Sequence, residues 1–166
     1  MKERDTMTTR LGVTDQGGPG TRLQTFCESR YEFRVLVDPI ATYNFQTLPE
    51  QPFISIVPGK PETWVGVVPS TCVLGEAFTL KIKGEDTWGN PAEQAAIKLT
   101  PKAKKPIKGS PDVIELKPGA FATEIPGLAV NEEGPLEIAL HGPDGTLLTT
   151  CNPAEVVTSP KLRSYW

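Results

Sequence analysis

An all-β fold is what this sequence predicts, and three features predict it. Seventeen prolines and fifteen glycines punctuate the 166 residues. Both residue types oppose long helices, proline by losing a backbone donor and glycine by its conformational entropy. From Trp64 onward, apolar runs recur roughly every 8 to 12 residues between Gly, Pro, Asp and Asn turns. Within one of them, FTLKIKG, Phe78, Leu80 and Ile82 fall on one face and Thr79, Lys81 and Lys83 on the other, the period-two pattern of a half-buried strand. About seven strands at that turn spacing, between residues 62 and 158, make an Ig-like antiparallel β-sandwich with an N-terminal β and loop extension the expected architecture.

The elements follow in chain order. The GGPG turn at Gly17–Gly20 breaks the first thirty residues before LQTFCES. EFRVLVD, Glu32–Asp38, alternates Phe33, Val35 and Val37 against Arg34 and Leu36 and predicts a strand that Pro39 stops. FISIVP, Phe53–Pro58, predicts a compact strand closed by Pro58-Gly59. Then come WVGVV, PSTCVLGE, FTLKIKG and the EDTWGNP turn, followed by AAIKLT, a loop PKAKKPIKGSP, VIELKPG and FATEIPG. LEIALHGPDGTLLTT, Leu136–Thr150, predicts a hairpin with Pro143 and Asp144 at the centre of its turn and Gly145 in the left-handed position. Residues 1–60 are expected to form an extension of two or three strands, residues 61–159 the sandwich, and residues 160–166 a tail.

Composition bounds the function. With 38% hydrophobic and 22% charged residues the chain belongs with folded globular proteins. A net charge of −3 supplies no basic footprint for nucleic acid. MKERDTMTTR has no apolar segment behind it, and no run approaches the ~18 apolar residues of a membrane helix, so no membrane partner is expected and a cytoplasmic location is favoured. A monomer or weak dimer without cofactor is anticipated.

His141 is the only histidine, too few for a His-rich metal centre, and its place at a strand end names no orienting partner for a catalytic base. No nucleophile elbow, zinc-protease helix, Walker loop or dinucleotide fingerprint occurs. Glu85, Asp86 and Asn90 gather oxygens that could take calcium. The plainer reading has Asp86 close an Asx turn while Gly89-Asn90-Pro91 reverses the chain. Lys98, Lys102, Lys104, Lys105 and Lys108 form a basic strip that suits an anionic ligand or an acidic neighbour, or a solvated loop guarding a sheet edge. Glu132 and Glu133 precede a Gly134-Pro135 turn and are expected to face water. Trp64, Trp88 and Phe121 are candidate partner contacts; for the two tryptophans the competing expectation is core packing. Cys27, Cys72 and Cys151 lack C-x-x-C spacing and read as small hydrophobes. The first and last strands of such a sandwich often run side by side, which leaves open a Cys72–Cys151 bridge in an oxidising compartment.

GGPGTRLQTFCES with EFRVLVD, then PGKPETWVGVVPST through GEAFTLKIKGEDTWGNP, and finally SPKLRSYW, in that order, resemble the N-terminal Ig-like β region of large bacterial proteins. These belong to a domain-of-unknown-function family similar to the polymerase-and-histidinol-phosphatase (PHP) metal-dependent hydrolases. GEAFTLKIKGEDTWGNP alone also resembles the bacterial Ig-like repeats of adhesins. In the PHP-like family a pair like Tyr165-Trp166 leads into a Gly-Asp-Leu-His-Gly segment that opens the metal-binding domain. The resemblance therefore implies a non-catalytic accessory module whose partner is a hydrolase domain following Trp166, with no metal ligand carried over onto this chain. A bacterial Ig-like binding or adhesion module for a glycan or protein is the alternative.

Overall fold

In a computed structural model, which describes residues 8–158, every regular element is a β-strand. The chain divides into two compact units, Met1–Val57 and Pro58–Trp166. The closing Tyr165-Trp166 pair lies outside the described residues.

The first unit contains β1 (Glu28–Glu32), β2 (Leu36–Val37), β3 (Gln46–Thr47) and β4 (Phe53–Ile56). β1 pairs antiparallel with β4, setting Tyr31 opposite Ile54, and β2 pairs with β3. The continuous strand expected over Glu32–Asp38 is not formed. The Gln51 side chain takes both backbone groups of Val35, its Oε1 accepting from Val35 N at 2.6 Å and its Nε2 donating to Val35 O at 3.3 Å. That amide occupies the position of a neighbouring strand, so the run towards β4, which ends with Phe33 N donating to Pro52 O at 2.8 Å, is interrupted before β2 begins at Leu36. On the other face of β1, the Arg30 guanidinium lies 4.3 Å from the Phe53 ring centre.

The second unit is an Ig-like sandwich. β5 (Thr63–Val67), β6 (Thr71–Val73), β7 (Phe78–Glu85), β8 (Pro91–Ala92), β9 (Ile97–Ala103) and β10 (Ile107–Lys108) lead into β11 (Ile114–Leu116), β12 (Ala122–Val130), β13 (Gly134–Leu136), β14 (Ile138–His141), β15 (Leu147–Thr150) and β16 (Ala154–Val157). One sheet has the order β10-β12-β7-β5, with β8 also on β7. Facing it, β11-β9-β14-β15 continues into β13-β16-β6, because only Glu137 separates β13 from β14 and Cys151–Pro153 separate β15 from β16. The pairings are antiparallel except β16 with β6, where Val156 lies beside Cys72 in parallel. The chain thus starts in one sheet as β5 and crosses at Pro69-Ser70 to the other as β6, beside the last strand.

The alternation that predicts β7 is the alternation observed: Phe78, Leu80 and Ile82 are buried while Lys81 is exposed. They meet Leu128 and Val130 of β12 and, from the facing sheet, Leu99, Ile114, Ile138, Leu140 and Val156. Burying such side chains fully contributes about 1.5–3 kcal/mol each. One inter-sheet approach leaves no room for a side chain. A Cβ on Gly66 of β5 would stand 2.6 Å from Cys151 Sγ and 3.2 Å from Leu140 Cδ1. Gln94, fully buried, meets its polar requirement by donating to Ile82 O at 3.1 Å and accepting from Thr123 Oγ1 at 3.1 Å.

Two strands run past prolines that read as breakers. In β12, Pro126 and Gly127 form an irregularity between Ile125 and Leu128, with Gly127 at φ +77°, after which pairing with β7 resumes. In β9, Pro101 lies beyond the end of β11, where the strand has β14 on one side only, so its missing N–H costs no ladder bond there. The turn between β14 and β15 matches its expectation. Gly142 N donates to Thr146 O at 2.9 Å and Gly145 takes φ +81°.

Candidate functional site

Among the described residues of the second unit, the turn between β7 and β8 contains the most heavily bonded side chain. Asp86 is buried. Its Oδ1 accepts from Trp88 N at 2.9 Å and Asn90 N at 2.9 Å, its Oδ2 from Gly59 N at 3.0 Å, and the Asn90 side-chain amide donates to both oxygens. The backbone closes the same loop through Asp86 N to Asn90 O at 3.0 Å and Gly89 N to Asp86 O at 3.0 Å. Gly89 permits the reversal at φ +82°. The Asn90 side-chain amide, with the backbone donors of Gly59, Asn90 and Trp88, outweighs desolvation and brings the Asp86 carboxyl down to about 2.

This geometry decides between the two readings of Glu85, Asp86 and Asn90. A calcium ligand presents oxygens to the ion, whereas here both Asp86 oxygens face N–H donors, and the Glu85 carboxylate accepts from Lys83 Nζ at 2.6 Å. The cluster is an Asx-type turn. At its tip Trp88 is 60% exposed. Trp88 is thus a large aromatic exposed to water on a turn whose central carboxylate is saturated by N–H donors.

Trp64 has the opposite environment. It packs against the core from β5, and a Cβ on its cross-strand neighbour Gly84 would stand 3.1 Å from its ring. Gly84 opens the space that the indole fills, so Trp64 is a packing residue. Phe121 is exposed at the start of β12, on the loop that leaves β11.

Two of the five lysines of the basic strip are paired with carboxylates. Lys98 Nζ pairs with Glu115 at 2.9 Å and Lys104 Nζ with Glu137 at 2.8 Å, while Lys105 Nζ donates to the Glu133 carbonyl. Hydrogen bonding and charge from Glu137 raise the Lys104 ammonium, and Lys98 lowers Glu115 in the same way. Glu132 and Glu133 are exposed. His141 ends β14 half-buried, its Nδ1 buried without a hydrogen-bond partner among the described residues. Cys72 and Cys151 are buried free thiols. Cys72 Sγ donates to Pro69 O at 3.7 Å while Cys151 Sγ lies over Gly66, so the proximity of β6 and β16 does not produce a disulfide. Desolvation raises both thiols, Cys151 to about 11. The sequence does not foretell Gly59 as a donor to Asp86, because that contact bridges 27 residues.

No family model matches the chain, and no curated protein does. Among solved structures, the chain is similar to one described as the D00-D0 domain of Intimin, with 15% identity, 86% of this chain and 67% of that chain covered, and a TM-score of 0.46. The Ig-like assignment stands on the strand order and the parallel β6–β16 pairing. Among the described residues no helix is long and apolar enough to cross a membrane.

Proposed function

We propose that this chain is a non-catalytic, bacterial Ig-like binding module whose β7–β8 turn contacts a glycan or a protein. The observation that carries the reading is the exposure of Trp88 on a turn fixed by Asp86. A turn whose backbone is fixed beforehand loses little backbone entropy on binding, and the exposed indole offers a flat apolar face to a sugar ring or an apolar side chain. Screening the purified chain on a glycan microarray and against immobilised cell-surface proteins tests it. The reading expects a hit that Trp88→Ala abolishes while the melting temperature stays within a few degrees. Silent screens, or a hit indifferent to Trp88→Ala, count against it.

The accessory-module reading, in which a PHP-like metal-dependent hydrolase domain follows Trp166, rests on the resemblance in the order of the sequence segments alone. The reading frame beyond codon 166 separates the two, since a histidine-rich continuation favours the accessory role.

A further inference from the structure

We infer that Gly59 couples the chain entering the sandwich to the Trp88 turn, so that drawing this entry segment away releases the turn. The second unit begins at Pro58. Among the described residues, the first hydrogen bond that the segment makes into the sandwich runs from Gly59 N to Asp86 Oδ2, at 3.0 Å. The next runs from Glu62 N to Glu85 O at 2.8 Å, where pairing with β7 starts. Between them Lys60 is exposed and Pro61 has no N–H to give. One hydrogen bond therefore fastens the entry, and its acceptor is the carboxylate that orders the turn.

A carboxylate is a rigid plane, so its two oxygens cannot turn separately. Oδ2 of Asp86 accepts from Gly59 N and the Asn90 side-chain amide, while Oδ1 accepts from Trp88 N and Asn90 N, both at 2.9 Å. Loss of Gly59 leaves Oδ2 with the Asn90 amide alone, which Oδ1 shares. A buried carboxylate short of a donor turns towards water, and that rotation withdraws Oδ1 from Trp88 N. Order in the turn thus depends on a bond to a residue 27 positions before Asp86. The coupling is reciprocal, since whatever steadies the turn also holds the entry segment. Its consequence for binding, a lower affinity once the entry is drawn away, rests on the reading of Trp88 as the partner contact. The coupling itself does not.

Native-state hydrogen exchange of the full chain, read at single amides by NMR, tests the coupling without a partner. In wild type the Gly59, Trp88 and Asn90 amides should open together, with protection factors within about threefold of one another and the same denaturant dependence. Gly59→Pro removes the donor and should lower protection at Trp88 and Asn90 about tenfold or more, with the amides of β12 unchanged as a check on the fold. Gly59→Ala keeps the donor, and its Cβ would meet Asp86 Cβ at an ordinary 3.5 Å, so protection should stay within about twofold of wild type. Separate openings in wild type, or Trp88 protection retained in Gly59→Pro, would overturn the inference, whereas silent partner screens would overturn only the reading of Trp88.

Discussion

Asn152 is joined to the backbone of Val68 at both ends of its side-chain amide, Oδ1 accepting from Val68 N at 2.8 Å and Nδ2 donating to Val68 O at 2.9 Å. The pair spans 84 residues and sits where β5 gives way to β6 and β15 to β16. There the first strand changes sheets and neither neighbour offers a ladder, so the amide supplies both missing backbone bonds. Asn152→Ala leaves them unmade and should cost about 1–3 kcal/mol, read as a lower urea midpoint. Asn152→Asp retains the acceptor but turns a carboxylate towards Val68 O, and should be no better than alanine at neutral pH. A midpoint unchanged in both variants would contradict the clamp.

Acid unfolding should report on Asp86. Its folded carboxyl is brought from 3.8 to about 2, so its contribution to stability is complete above about pH 4 and is lost as the pH falls through about 2. Asp86→Asn places an NH₂ group among donors and removes that contribution at neutral pH. The gap in urea midpoint between wild type and variant should therefore be widest at pH 7 and close between pH 4 and pH 2. Because both oxygens are saturated by N–H groups, millimolar calcium should leave the wild-type melting temperature unchanged, and a rise of several degrees would reinstate the metal reading.

Gly66 tests the spacing of the two sheets. Gly66→Ala drives a Cβ to 2.6 Å from Cys151 Sγ, an overpacking that should cost about 1–3 kcal/mol. Adding Cys151→Ala removes the clashing sulfur, so the double variant should lose less than the two single losses summed. Strict additivity in calorimetry would contradict the contact.

Thiol reactivity follows burial. Cys151, raised to about 11, and Cys72, also raised, are buried, whereas Cys27 is only half-buried. With an aromatic disulfide reagent at pH 8, Cys27 should react first and the other two only as the sandwich unfolds. A fast phase of three thiols in the native protein would contradict this packing.

Legibility in the sequence followed the physics of each element. β7 was readable because both its faces obey one alternation, and the β14–β15 turn because Gly145 can take a conformation closed to most residues. The side-by-side run of the first and last strands followed from the architecture. β16 and the Leu128–Val130 half of β12 were not readable. Ala154–Val157 is too short to show a period, and Pro126 reads as a stop unless the partner strand accommodates an irregularity. The Asx turn at Asp86 was local and could be read. The packing of Trp64 against the core could not, because it depends on Gly84 lying opposite it on the neighbouring strand. Gln51 and Asn152, each standing in for a strand, act over distances that no window of sequence reveals.

The proposed presentation of Trp88 to a partner by the Asp86 turn is tested most directly by calorimetric titration of the strongest screening hit into wild type, Trp88→Ala and Trp64→Phe. Trp88→Ala should weaken binding about tenfold or more with the fold intact, as for a central aromatic contact, while Trp64→Phe should lower stability and leave affinity within about twofold. Equal affinity in wild type and Trp88→Ala would contradict it.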